Sequence, residues 1–156
     1  MLFSSLIAVK DVKAARKFYE ELFDLTVDQD FGLMVSFDCG LVLQEDFHWL
    51  VGIGKEEIKE KENNCELYFE TGDFDALAQK IKARQDVNLL HDIVEQSWGQ
   101  RAIRFYDLDS HLVEVGESMK GVVQRFLAQG MSITDIAAKM DVTASDVQKM
   151  LAEEDC

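Results

Sequence analysis

The sequence predicts an α+β fold, tandem βαβββ modules forming a mixed sheet, followed by a small helix-turn-helix-like extension. Three observations carry that prediction. Hydrophobic periodicity switches repeatedly between 2 and 3.6, as strands alternating with single helices require. The order of elements in residues 1–50 recurs in residues 64–119. From residue 120 onward only helical spacing remains.

The apolar run 2–9 reads as a first, buried strand. Asp11 then caps a helix whose apolar face carries Val12, Ala15, Phe18, Tyr19, Leu22 and Phe23. Short strands follow near 25–30, 33–38 and 41–45, punctuated by Gly32 and Gly40. Residues 54–63 are a charged, solvated link with some helical character. In the second copy, 65–70 is a strand, Asp73 caps a helix bearing Phe74, Leu77, Ala78 and Ile81, and strands follow near 87–95, 101–106 and 111–116. An offset of 62 superposes Asp11 on Asp73, and an offset of 70 superposes Val42-Leu43 on Leu112-Val113. The growing offset implies small insertions in the second copy.

The boundaries expected are a domain at 1–119, with modules at about 1–50 and 64–119, and an extension at 120–156. In the extension, Gly130 is placed to stop one helix. Ser132-Ile-Thr-Asp135 and Thr143-Ala-Ser-Asp146 are capping boxes opening two more.

Composition narrows the function classes. A chain with 16 Lys+Arg against 30 Asp+Glu, net −14, is acidic enough to repel phosphate backbones and anionic membranes, so neither nucleic acid nor membrane is expected as a partner. The 47% hydrophobic content with ten Phe supplies a packed core and excludes wholesale disorder. Average usage would give about eight prolines; this chain has none, which excludes Pro-rich linkers and ligand motifs. Cys39, Cys65 and Cys156 are odd in number with no C-x-x-C pair, which fits a reducing, cytoplasmic setting. The apolar start lacks a basic leader and is cut off by Lys10 and Asp11, too early for a membrane span.

Trp98-Gly99-Gln100-Arg101 followed by Arg104-Phe-Tyr-Asp-Leu-Asp-Ser-His-Leu-Val-Glu114 resembles the vicinal-oxygen-chelate superfamily of glyoxalases, bleomycin-resistance proteins and extradiol dioxygenases. The usual pattern is W-G, a strand, then D-P-D-G-x-x-x-E; here Leu108 stands for the proline and Ser110 for the glycine, which alters the turn chemistry. Val9-x-Asp11 with Phe18-Tyr19 resembles the family's first module, so the likeness spans roughly residues 1–117. It implies a cupped sheet with four inward ligand places for a divalent metal. These fall at Ser4, at Gln44 or its neighbour Glu45, at Glu66 and at Glu114.

That set lacks histidine, whereas Zn, Ni and Fe sites are normally built on imidazole plus carboxylate. No cofactor therefore follows from these residues. The resemblance leaves open a divalent metal (Mg²⁺, Mn²⁺, Ca²⁺ or Zn²⁺) at Gln44, Glu66 and Glu114. Without a metal, two carboxylates in one cup raise one pKa and create an acid, which marks Glu66 and Glu114 as the catalytic candidates, unless Arg101 or Arg104 pairs with them. Tyr68 shares strand parity with Glu66 and joins the ligand-binding set with Ser4 and Gln44. Trp98, His48 and Trp49 form a candidate aromatic rim, and Arg101 is a candidate partner for a substrate carboxylate or for Glu114. His91 and His111 read as structural, His111 facing away from Glu114 by strand parity.

The extension has four basic residues against six acidic ones, too acidic for a groove-reading helix-turn-helix, so its helices are expected to pack on the main domain or across a homodimer. Three functions remain. One is a binding protein for a small molecule in the cup, with a degenerate metal site. Another is a metal-dependent lyase or isomerase of glyoxalase type, or a dioxygenase-related enzyme. The last is a regulatory protein acting through the C-terminal helices.

Overall fold

The computed structural model describes residues 3–153. The chain forms two compact units, Met1–Asn64 with Asp107–His111, and Cys65–Tyr106 with Leu112–Cys156. Each holds one four-stranded mixed sheet and so realises the expected α+β fold of tandem βαβββ modules.

In the first unit the order is β1 (Ser5–Val9), α1 (Val12–Phe23), β2 (Val27–Asp30), β3 (Met34–Phe37) and β4 (Leu41–Glu45). The sheet order is β1-β4-β3-β2, with β1 parallel to β4 and the other pairs antiparallel. Helix α1 forms where 3.6-residue spacing puts Val12, Ala15, Phe18, Tyr19 and Leu22 on one buried face. The Asp11 carboxylate accepts from Lys13 N and Ala14 N, as an N-cap should. A short helix that the sequence reading did not foresee, α2 (Phe47–Val51), follows β4, and the charged link contains one 3₁₀ turn, Lys55–Glu57.

The second unit repeats the plan with β5 (Leu67–Thr71), α3 (Phe74–Ala83), β6 (Asn88–Glu95), β7 (Arg101–Tyr106) and β8 (Leu112–Glu117), in the order β5-β8-β7-β6. Phe74, Ala78 and Ile81 of α3 are buried, as are the odd-numbered strand residues Ile103, Phe105, Val113 and Val115. Asp73 stands at the N-cap but its side chain makes no capping bond, which departs from the expected cap.

Three more helices complete this unit: α4 (Met119–Ala128), α5 (Ile133–Met140) and α6 (Ala144–Ala152). Both capping boxes form, Ser132 with Asp135 and Thr143 with Asp146, and Gly130 at φ +87° follows the end of α4. Val122, Val123, Phe126, Ile136, Ala137, Met140 and Val147 bury a core of their own. Arg125 fastens α4 to the strands, bonding Glu117 Oε2 at 2.9 Å and Glu95 Oε2 at 3.2 Å.

Gly99 makes a second fastening point. Its φ is +95°, and a Cβ there would lie 2.2 Å from Phe126 Cζ. Gly99→Ala should therefore cost about 3 kcal/mol, combining left-handed strain with overpacking. The loss would be read as a lower urea midpoint; an unchanged midpoint would refute this packing role. Cys39 and Cys65 are exposed free thiols, and Cys156 lies outside the described residues, as do residues 154–155 of the polar end and Leu2 of the expected first strand. Among the described residues no helix is long and apolar enough to cross a membrane.

Candidate functional site

Register places the polar residues of the second sheet. Tyr68 of β5 stands opposite Glu114 of β8, and Glu114 stands opposite Arg104 of β7, so the three share one face. Glu66, two residues before Tyr68, joins them. Arg104 Nε donates to Glu66 Oε2 at 3.0 Å, and its Nη2 donates to the Glu114 carboxylate. Glu114 is buried, and burial, reinforced by the neighbouring Glu66, raises its pKa; the Arg104 hydrogen bond lowers that of Glu66. One carboxylate of the pair thus holds its proton more tightly than an ordinary glutamate.

A second chain of hydrogen bonds lies beside the first. Trp98 Nε1 donates to Gln100 Oε1 at 3.2 Å, and Gln100 Nε2 donates to Tyr68 Oη at 2.9 Å and to Glu117 O at 2.9 Å. Tyr68 Oη donates to Glu70 Oε2 at 2.8 Å. Burial and the Glu70 hydrogen bond push the Tyr68 phenol up to about 12, so it stays a neutral donor. Gly116 makes the space: a Cβ there would sit 2.9 Å from Tyr68 Oη and 3.0 Å from Gln100 Nε2.

Arg101 does not join this face. In a strand it shares parity with the buried Ile103 and Phe105, and its guanidinium bonds Glu117 Oε1 at 3.0 Å and Asp75 Oδ1 at 2.9 Å, above the Phe74 ring. The expected alternative partner for Glu114 is therefore Arg104 and not Arg101.

In the first unit Ser4 is exposed, and Gln44 is buried with its amide nitrogen donating to Glu45 O at 2.6 Å and Leu33 O at 3.3 Å. Glu45 Oε2 accepts from Val12 N at 3.0 Å. His48, half-buried, lines a cavity, whereas Trp49 is exposed. His111 lies in the turn before β8, not in a strand, so the parity argument does not apply to it. Its Nδ1 is 2.9 Å from Asp107 Oδ2. Asp107 is buried and also accepts from Tyr19 Oη at 2.7 Å, Asp109 N at 3.0 Å and His111 N at 2.8 Å. The altered turn still closes, with Ser110 taking the positive φ, 69°, that a glycine would adopt freely.

The glyoxalase-like domain family matches residues 2–120 of this sequence. The chain belongs to that family, within the vicinal-oxygen-chelate superfamily. Among solved structures, a protein of unknown function from Agrobacterium tumefaciens str. C58 is 36% identical, with a TM-score of 0.66 over 76% of this chain and 94% of that one. A glyoxalase/bleomycin resistance protein/dioxygenase family enzyme from Burkholderia phytofirmans PsJN shares the fold at 14% identity, with a TM-score of 0.64 over 73% of this chain and 95% of that one. A lactoylglutathione lyase from Agrobacterium tumefaciens does so at 20% identity, with a TM-score of 0.58 over 75% and 92%. No curated protein matches the sequence.

The donor set of this glyoxalase-like chain does not fit the metal that its superfamily often uses. The Glu66 and Glu114 carboxylates are both engaged by one guanidinium, and the Gln44 amide is turned onto backbone carbonyls. Among the described residues no three His, Cys, Asp or Glu converge as ligands. Gln100 and Glu70, which carry the hydrogen-bond chain around Tyr68, were not singled out from sequence. The signal for Glu70 was available, since it shares parity with Glu66 and Tyr68.

Proposed function

We propose that this glyoxalase-like protein binds a small molecule on the polar face of its second sheet, with Arg104 supplying the positive charge that a divalent metal supplies elsewhere in the superfamily. The observation that carries this reading is the Arg104 guanidinium bonded to both Glu66 and Glu114. Glu66 and Glu114 both bond this one cation and Glu70, bonded to Tyr68, adds a third carboxylate on the same strand face, so the surface favours a neutral or cationic ligand over an anion. Tyr68 offers a polar contact held in place by Gln100, and the partly exposed indole of Trp98 offers an aromatic one. Ser4 and Gln44 are proposed as ligand contacts of the first sheet, and the protein is proposed to work as a homodimer.

Calorimetric titration with ZnCl₂, NiCl₂ and MnCl₂ tests the reading. Wild type is expected to take up none of them tightly, whereas Arg104→Gln, which frees both carboxylates, gains affinity for at least one by roughly ten-fold or more. One tightly held Zn or Ni per wild-type chain would overturn it.

A second reading, a lyase or isomerase of glyoxalase type, is favoured by the raised pKa of Glu114, which suits proton transfer. It requires lactoylglutathione lyase activity, as in the solved relative of that name, that Glu114→Gln abolishes. The absence of turnover with any added divalent ion would sink it.

A further inference from the structure

The charged link 54–63, left without a role above, lines a cavity of about 210 Å³ inside the first unit. The cavity lies past the C-terminal ends of the parallel strands β1 and β4, and His111 of the 107–111 turn also borders it. Its volume equals that of roughly seven waters at about 30 Å³ each. Val9 is a buried part of the wall, and Ala8, Phe47 and Ile58 are half-buried parts, so a compact apolar body would be desolvated there.

Two lysines on that wall, Lys55 and Lys59, have no counter-ion among the described residues. The Lys55 ammonium and the His48 imidazole make no side-chain hydrogen bond or ion pair with any described residue. The Lys59 ammonium donates only to the Glu56 carbonyl, at 3.1 Å, which leaves its charge uncompensated. Lys10 is already paired with Glu60. His111 is held by Asp107 through Nδ1, which leaves its Nε2 unbonded. The carboxylates of the lining are Asp46, exposed at the rim, Glu60, taken up by Lys10, and Asp109, which accepts from Lys10 N at 2.9 Å.

We propose that this cavity is a second ligand site, taking a small organic anion whose carboxylate or phosphate meets Lys55, Lys59, His48 and His111 while its apolar body lies against Val9, Phe47 and Ile58. The charge preference is opposite to that of the second sheet, and the two sites stand or fall separately.

The test titrates the purified full chain with benzoate, phenyl phosphate and neutral benzamide, following the imidazole Cε1–H resonances of His48 and His111 by NMR. Saturable shifts with benzoate or phenyl phosphate and none with benzamide are expected, and the tighter of the two anions assigns the headgroup. The double variant Lys55→Ala, Lys59→Ala, altering two exposed side chains, is expected to weaken binding roughly ten-fold. His48→Gln serves as an independent second variant with the same expected direction. Shifts from neither anion, equal binding of benzamide, or unchanged affinity in both variants would overturn the proposal. In a Trp49→Phe background, Trp98 fluorescence, reporting on the second sheet, is expected to stay constant throughout, so failure here leaves the Arg104 reading untouched.

Discussion

Asp107→Ala is expected to destabilise the first unit by about 3–5 kcal/mol. The carboxylate is buried and accepts from four donors: the Tyr19 hydroxyl, two backbone N–H groups and the His111 ring. Alanine would leave the fully buried Tyr19 hydroxyl without this acceptor and would release the turn that holds Ser110 at positive φ. Tyr19→Phe removes one donor and keeps the rest, so about 1 kcal/mol is expected for it. The chain has one tryptophan in each unit, Trp49 and Trp98, so a Trp98→Phe background makes Trp49 the reporter for urea unfolding of the first unit. A loss no larger than that of Tyr19→Phe would show that the turn does not depend on Asp107.

The same cluster makes a pH prediction. Burial raises the Asp107 pKa, but His111, Tyr19 and the backbone outweigh it, and the net value is below the usual 3.8. Burial likewise disfavours the imidazolium, yet Asp107 holds His111 above 6.5. The His111 contribution is fully present below 6.5 and is lost as pH rises through the elevated folded value; the Asp107 contribution is present above 3.8 and is lost as pH falls through the depressed one. The stability gap between wild type and His111→Gln is therefore expected to be widest near about pH 5 and to narrow toward about pH 9.

Glu117→Gln is expected to cost the second unit about 3–5 kcal/mol. This carboxylate is 4% exposed and is gripped by Arg101 from the strand and Arg125 from helix α4. Burial would raise its pKa, but the four hydrogen bonds from these two arginines outweigh it and hold the value below the usual 4.5. Glutamine keeps the shape but presents its NH₂ to a guanidinium and leaves the two arginines short of a counter-charge. Helix α4 would then rest on Glu95, the Gly99 carbonyl and the Phe126 contact. In a Trp49→Phe background, Trp98 fluorescence against urea measures the loss. If the Glu117 contribution is electrostatic, the gap between wild type and variant closes as pH falls through the depressed folded value, because both then carry a neutral side chain. A gap that persists unchanged at that pH would assign the effect to packing.

The parts written locally were legible in the sequence. Asp11, Ser132–Asp135, Thr143–Asp146 and Gly130 each act within one helical turn, and each does what spacing predicts, whereas Asp73 occupies its cap position without a bond. The pairing of carboxylates with an arginine was legible too, but two arginines three apart competed for it, and strand parity decides between them: Arg101 goes with Ile103 and Phe105, Arg104 with Glu114. Asp107 was recognisable only as part of a turn motif. Its burial depends on Tyr19, 88 residues earlier, and no local pattern reports a contact of that span. Gln100 was hidden for a related reason, since its partners Tyr68 and the Glu117 carbonyl come from two other strands.

The lysine rim of the first unit has a kinetic consequence. A chain carrying −14 repels an approaching anion over a Debye length of roughly 10 Å at 0.1 M salt, while Lys55 and Lys59 attract it only once it is close. Added salt would then screen the repulsive approach before it screens the contact. The association rate of an anionic ligand should rise with ionic strength even as its dwell time shortens, so speed and grip would answer to salt in opposite directions.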